Sequence, residues 1–141
     1  MNSKNSKDIS SSYDTILKES AALTTFSGIL FGFILNISIN PPGTFSYIDK
    51  ILLLITLYTI TTAACLFVMP IIYHHIQYPY GDLEKFRKRS HRFILYGLIP
   101  VGITLIIALE IASSLLINKS VSILLSLIPF IFILLIYYKR K

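Results

Sequence analysis

ILLLITLYTITTAACLFVMPIIY, the stretch Ile51–Tyr73, contains no Asp, Glu, Lys or Arg. A helix needs about 20 predominantly apolar residues to cross the hydrocarbon core of a bilayer, and this run is long enough. Three further runs share its character: Ala21–Ile39, Phe93–Ile117 and Ser120–Tyr138, of which only Phe93–Ile117 holds a charged residue, Glu110. Hydrophobic residues make up 54% of the 141, so little polar surface is left from which to build a soluble module. The pattern predicts an all-α, four-helix transmembrane bundle and therefore an integral, multi-pass membrane protein.

The connections set the order of the spans. Residues 1–12 are rich in Ser, Asn and Lys and lack apolar periodicity, so they are expected to form a disordered tail. Residues 13–141 then form a single four-span membrane domain. Helix one is expected to begin near Asp14 or Thr15 and to stop at Asn40-Pro41-Pro42-Gly43, because proline cannot donate a backbone hydrogen bond. That exit lacks a small-x-small cleavage pattern, so the span reads as a retained helix and not a signal peptide. A joint of little more than Asn118-Lys119 forces spans three and four into an antiparallel hairpin. Between spans two and three, Tyr78-Pro79-Tyr80-Gly81 reads as a turn and Asp82 as an N-cap. From there one helix of roughly 35 residues is predicted to run into span three, with Leu83, Phe86, Ser90, Phe93 and Gly97 on one stripe. Pro70, Pro100 and Pro129 are tolerable inside membrane helices.

Charge placement predicts orientation. Lys4, Lys7 and Lys18, the run Lys85, Arg87, Lys88, Arg89 and Arg92, and Lys139, Arg140 and Lys141 fall on one side, against Lys50 and Lys119 on the other. The positive-inside rule puts both termini and the helix-three extension in the cytoplasm. Tyr73, Tyr78, Tyr80, Tyr96, Tyr137 and Tyr138 gather near the same boundary, as an interfacial belt. The basic run Lys85, Arg87, Lys88 and Arg89 is expected to face anionic lipid headgroups; being short and pinned to the bilayer, it is not expected to bind nucleic acid.

Three features invite a chemical reading. Gly28 and Gly32 form GxxxG, a spacing that lets helices approach closely. The small-residue surface around Ala63, with Thr59, Thr62 and Cys65, offers a partner within the chain, and a homodimer seam is the alternative. Glu110 is the one ionisable group inside a span, seven residues from the outer end of its run and so roughly 10 Å deep. Counting in from the other helix ends groups it with Tyr58, Thr59 and Ser126, and Ser114 lies on its own helical face. No Lys or Arg is expected at that depth, so the carboxyl is expected to be hydrogen-bonded or protonated and not ion-paired. It either fixes helix register or serves as a proton or cation site. His74, His75 and His91 lie at the ends of the middle connection without HExxH or CxxC spacing, so no metal or cofactor is expected. No phosphate loop, nucleophile triad or paired catalytic carboxylates appear, and the chain is not expected to be an enzyme.

Glu19-Ser-Ala-Ala-Leu-Thr-Thr-Phe-Ser-Gly-Ile-Leu-Phe-Gly-Phe33 resembles the first span of a family of small prokaryotic four-span membrane proteins of unknown function. Tyr73-His74, Gly81-Asp82, Arg92 and Gly97-Leu98 match that family's second landmark, and the likeness covers about residues 19–110. It implies the same four-helix architecture and a prokaryotic cell membrane. Some members carry a sodium/proton antiporter label. Antiporters of known mechanism need two alternately accessible half-pathways and a carboxylate site, and four spans are few for that, so the label is not carried to this chain. His75 stands where the family usually has arginine, Gly28 replaces a more polar residue, and Glu110 matches no landmark. Glu19, His74 and Arg92 do match, and a Glu–Arg or Glu–His contact between them is expected. The resulting expectation is a non-enzymatic structural or accessory subunit that associates with itself or with a protein partner. The alternative is a small oligomeric channel or proton- or cation-coupled transporter using Glu110.

Overall fold

The computed structural model describes residues 3–77 and 83–139. It contains α1 (Ser3–Ile39), α2 (Tyr47–Gln77), α3 (Leu83–Ser114) and α4 (Lys119–Lys139). Among the described residues four helices are long and apolar enough to cross a membrane, which marks an integral membrane protein. The turn expected at Tyr78–Gly81 and the cap expected at Asp82 lie outside the described residues.

Two boundaries differ from expectation. α1 starts at Ser3 and not near Asp14, so the polar tail continues the helix: once a helix is nucleated, each added residue costs little. α3 runs unbroken from Leu83 through the basic run but ends at Ser114, before Ile117. There the amides of Leu116 and Ile117 both bond the Ser113 carbonyl at 3.0 Å and close the last turn. Asn118 then caps α4, its side-chain oxygen accepting from the Ser120 amide at 3.4 Å. α2 opens on a reciprocal cap. The Ser46 amide donates to Asp49 Oδ2 at 2.9 Å, and the Asp49 amide returns a bond to Ser46 Oγ at 3.3 Å.

The bundle is uneven. α2 is central, packing on α1 and α3, while α4 lies along α3. The buried positions of α2 are Leu53, Thr56, Ile60, Ala63, Phe67 and Pro70. They alternate steps of three and four, the spacing of a knobs-into-holes seam. α3 presents Phe86, Ser90, Ile94, Gly97, Val101 and Thr104, and from Ile94 onward they follow the same alternation. Phe93, expected on this stripe, is only half-buried. α1 contributes Ile16, Ser20, Ser27 and Ile34, mostly one heptad apart. Small residues set the close approaches. Gly97 faces Phe67 so tightly that an added Cβ would lie 2.8 Å from ring atom Cδ1. Ser20 Oγ donates to the Phe67 carbonyl, next to the Leu66 carbonyl that Pro70, having no N–H, leaves without its helical donor.

The GxxxG pair does not take part. Gly28 and Gly32 are exposed, with nothing within 4 Å of a Cβ added at either. The expected packing of helix one on helix two passes instead through Ser20 and Ser27 on α1, and Ala63 on α2 is fully buried. The reason is geometric: neighbouring residues point about 100° apart around a helix, so a seam through Ser27 turns Gly28 away. Cys65, expected in the same small-residue surface, is also exposed.

Candidate functional site

The end of the bundle where α2 and α4 begin holds a polar constellation around Glu110. Asp49 and Lys119 form an ion pair at 2.8 Å that ties the first turns of α2 and α4 together. Both carboxylate oxygens of Asp49 are used, Oδ1 by Lys119 and Oδ2 by Ser46. Behind this pair, a groove of about 330 Å³ runs between α2, α3 and α4. Its walls are mainly Ile48, Leu52, Ile107, Ile123 and Leu127, with Glu110, Lys119 and Ser126 as polar lining.

Glu110 is 7% exposed, and neither carboxyl oxygen has a hydrogen-bond partner among the described residues. Its backbone carbonyl accepts from Ser122 Oγ at 2.7 Å, which fixes the register of α4 on α3. Because α3 ends at Ser114, the side chain stands about one turn, roughly 6 Å, from the helix end and not 10 Å deep.

The cluster expected around Glu110 assembles only in part. Ser126 lines the same groove, its hydroxyl turned to the Ile123 carbonyl at 2.9 Å. Tyr58 is 69% exposed and lines a different groove with Thr59, Thr62 and Pro100. The Thr59 hydroxyl pairs with that of Thr104 at 2.8 Å, a bond across the α2–α3 seam. Ser114 Oγ donates to the Ile111 carbonyl at 2.8 Å. Sequence reasoning missed Lys119, which lines the groove, and Asp49, which is paired with it. The signals were a Ser-x-x-Asp cap at Ser46–Asp49 and a hairpin short enough to fold Lys119 back beside α3.

The opposite end carries the basic run. Arg89, expected at lipid headgroups, is exposed and also reaches α2. Its guanidinium donates to Tyr73 Oη at 2.6 Å and lies 5.7 Å from the ring centroid. Tyr73 in turn stacks on buried Phe86, with centroids 5.5 Å apart. Lys85, Arg87 and Lys88 are exposed. Glu19 and Arg92 are exposed and His74 is half-buried. No hydrogen bond or ion pair joins Glu19 to Arg92 or His74 among the described residues. Arg92 instead lines a groove with Thr15 and Ile16 of α1. Among the described residues, no three His, Cys, Asp or Glu side chains gather as metal ligands.

A protein-family model, described as a family of unknown function, matches residues 4–139, the whole four-helix unit. No curated protein and no solved structure matches the chain.

Proposed function

The chain belongs to that family of unknown function (DUF6328), and we propose that it is a non-enzymatic membrane subunit, assembled with itself or within a larger membrane complex. The observation that carries this reading is the Glu110 carboxyl, buried with both oxygens unbonded in an apolar-walled groove. A buried acceptor without a partner costs about 1–3 kcal/mol, and more where the group is charged. A helix from a neighbouring subunit, laid in the groove between α2 and α4 and bringing a donor, would remove that cost. Gly28 and Gly32, turned outward and open, give α1 a second face suited to close helix contact. The positive-inside rule orients this subunit with the basic end, and both termini, in the cytoplasm.

One observation favours a second reading. Lys119 lines the same groove as Glu110, so the constellation could pass a proton or cation. A transport path would have to continue to the basic end, through a core sealed by Ile60, Ala63 and Phe67, all fully buried. That seal favours assembly.

The test is the mass of the protein extracted from its native membrane in mild detergent, compared with Glu110→Gln and Glu110→Leu. Assembly predicts a complex larger than one chain, kept by the glutamine variant, which still bonds a donor, and weakened about ten-fold or more by leucine. A lone monomer overturns the proposal. Cation or proton flux in reconstituted vesicles that is lost in Glu110→Gln, with the mass unchanged, establishes the second reading.

A further inference from the structure

The basic end holds a second groove, of about 760 Å³, between the start of α3 and Thr15 and Ile16 of α1. Glu84, Arg87, Lys88, His91 and Arg92 line it from α3. They follow one another at steps of three, one, three and one, so they share a single helix face. That face is set apart from Phe86, Ser90 and Ile94, which enter the core, and from Arg89, which is held by Tyr73. Arg87, Lys88 and Arg92 have no ion-pair or hydrogen-bond partner among the described residues. Three unpaired cations thus face one carboxylate, and the groove keeps a net positive charge.

We propose that this groove binds the phosphate of an anionic lipid headgroup, held by Arg87, Lys88 and Arg92 against α1. Depth is the second argument. Arg92 is the last residue before the apolar run that begins at Phe93. Arg87 lies roughly 7–8 Å farther out along the helix, about the thickness of one headgroup layer, ~5–8 Å. The cations therefore span the zone where lipid phosphates sit while acyl chains run beside α1 and α3. Arginine suits the role because its planar fork can bond two phosphate oxygens at once. The site differs from a general basic attraction in naming one face of α3 and in requiring α1 as its other wall.

The experiment counts phosphatidylglycerol retained by the full chain in a non-ionic detergent, by native mass spectrometry, and measures its affinity by titration into the micelles. Phosphatidylcholine is the zwitterionic comparison and inorganic phosphate the competitor. Each neutralised cation is expected to weaken phosphatidylglycerol binding about five-fold, and Arg87→Gln, Lys88→Gln and Arg92→Gln together roughly 100-fold. Arg87→Lys with Arg92→Lys should keep most of the affinity, and Lys50→Gln, at the other end, should keep all of it. The single substitutions are at exposed positions and read the same effect if the triple variant does not fold. Equal retention by the wild type and the neutralised variants overturns the site. An equal loss in Lys50→Gln reduces it to unspecific charge attraction. Displacement of the lipid by inorganic phosphate at matching concentration assigns the groove to a soluble phosphate instead.

Discussion

α2 and α4 are equally apolar and both long enough to cross a membrane, yet they are used in opposite ways. α2 buries a continuous seam from Leu53 to Pro70 between two neighbours. Among its described side chains α4 buries just Ser122 and Ser126, and every one from Ile131 to Ile136 is exposed. Hydropathy reports that a helix tolerates hydrocarbon. It does not report whether lipid or protein supplies the contact, because in a bilayer the two are nearly equal as apolar surroundings. What separates the helices is steric: α2 interlocks Phe67 with Gly97 and buries Ala63 fully, whereas α4 meets its neighbours through Ser122, the Lys119–Asp49 pair and the Phe130 ring, which lies near Gly102. The face that α4 leaves open borders the groove in which Glu110 lies.

The largest effect should come from removing the interlock. Phe67→Ala should destabilise the fold in detergent by about 3 kcal/mol, the low end for an aromatic truncation, because lipid solvates the exposed ring well and mainly the cavity cost remains. Phe132→Ala, at an exposed ring on α4, should change the melting temperature little. Equal losses at both positions would show that α4 is covered by something as tightly packed as the α2–α3 seam, which would sharpen the case for assembly.

Gly97→Ala probes the same seam by overfilling it. The added methyl meets the Phe67 ring, and a cost of about 1–3 kcal/mol is expected. Gly28→Ala and Gly32→Ala, where space is open, should leave the monomer's thermal stability unchanged. Loss of the native assembly in those variants, with stability intact, would place a partner helix on α1.

The smallest effect belongs to the tie between the two unlike helices. A double-mutant cycle on Asp49→Asn and Lys119→Met should give a weak coupling, since the pair is partly exposed and water screens it. A much larger coupling would mean that Asp49–Lys119 is screened from water by a neighbour that the isolated chain lacks.

Much of the candidate site was legible residue by residue. Glu110 stands out as the single charge in four apolar runs, and the basic stripe of α3 can be read from its spacing. What they touch was not. Lys119 reaches the Glu110 groove because the hairpin closes four residues after Ser114, and the exposed Arg89 also meets α2 because Tyr73 offers both a hydroxyl and a ring. Glu19 and Arg92, matched by the same landmarks, do not meet, because proximity in depth says nothing of azimuth around the helix axes.

The amino-acid sequence alone determined four helices long and apolar enough to cross a membrane, their order and the antiparallel hairpin. Hydrocarbon demands long apolar runs with internally bonded backbones, and short connections leave few ways to join them. Only the tertiary structure decided which stripe of each helix faces protein. It chose Ser20 and Ser27 over Gly28 and Gly32, and left α4 almost bare. In an apolar surrounding the choice between lipid and protein rests on shape and on a few hydrogen bonds, and those depend on how side chains from different helices fit together.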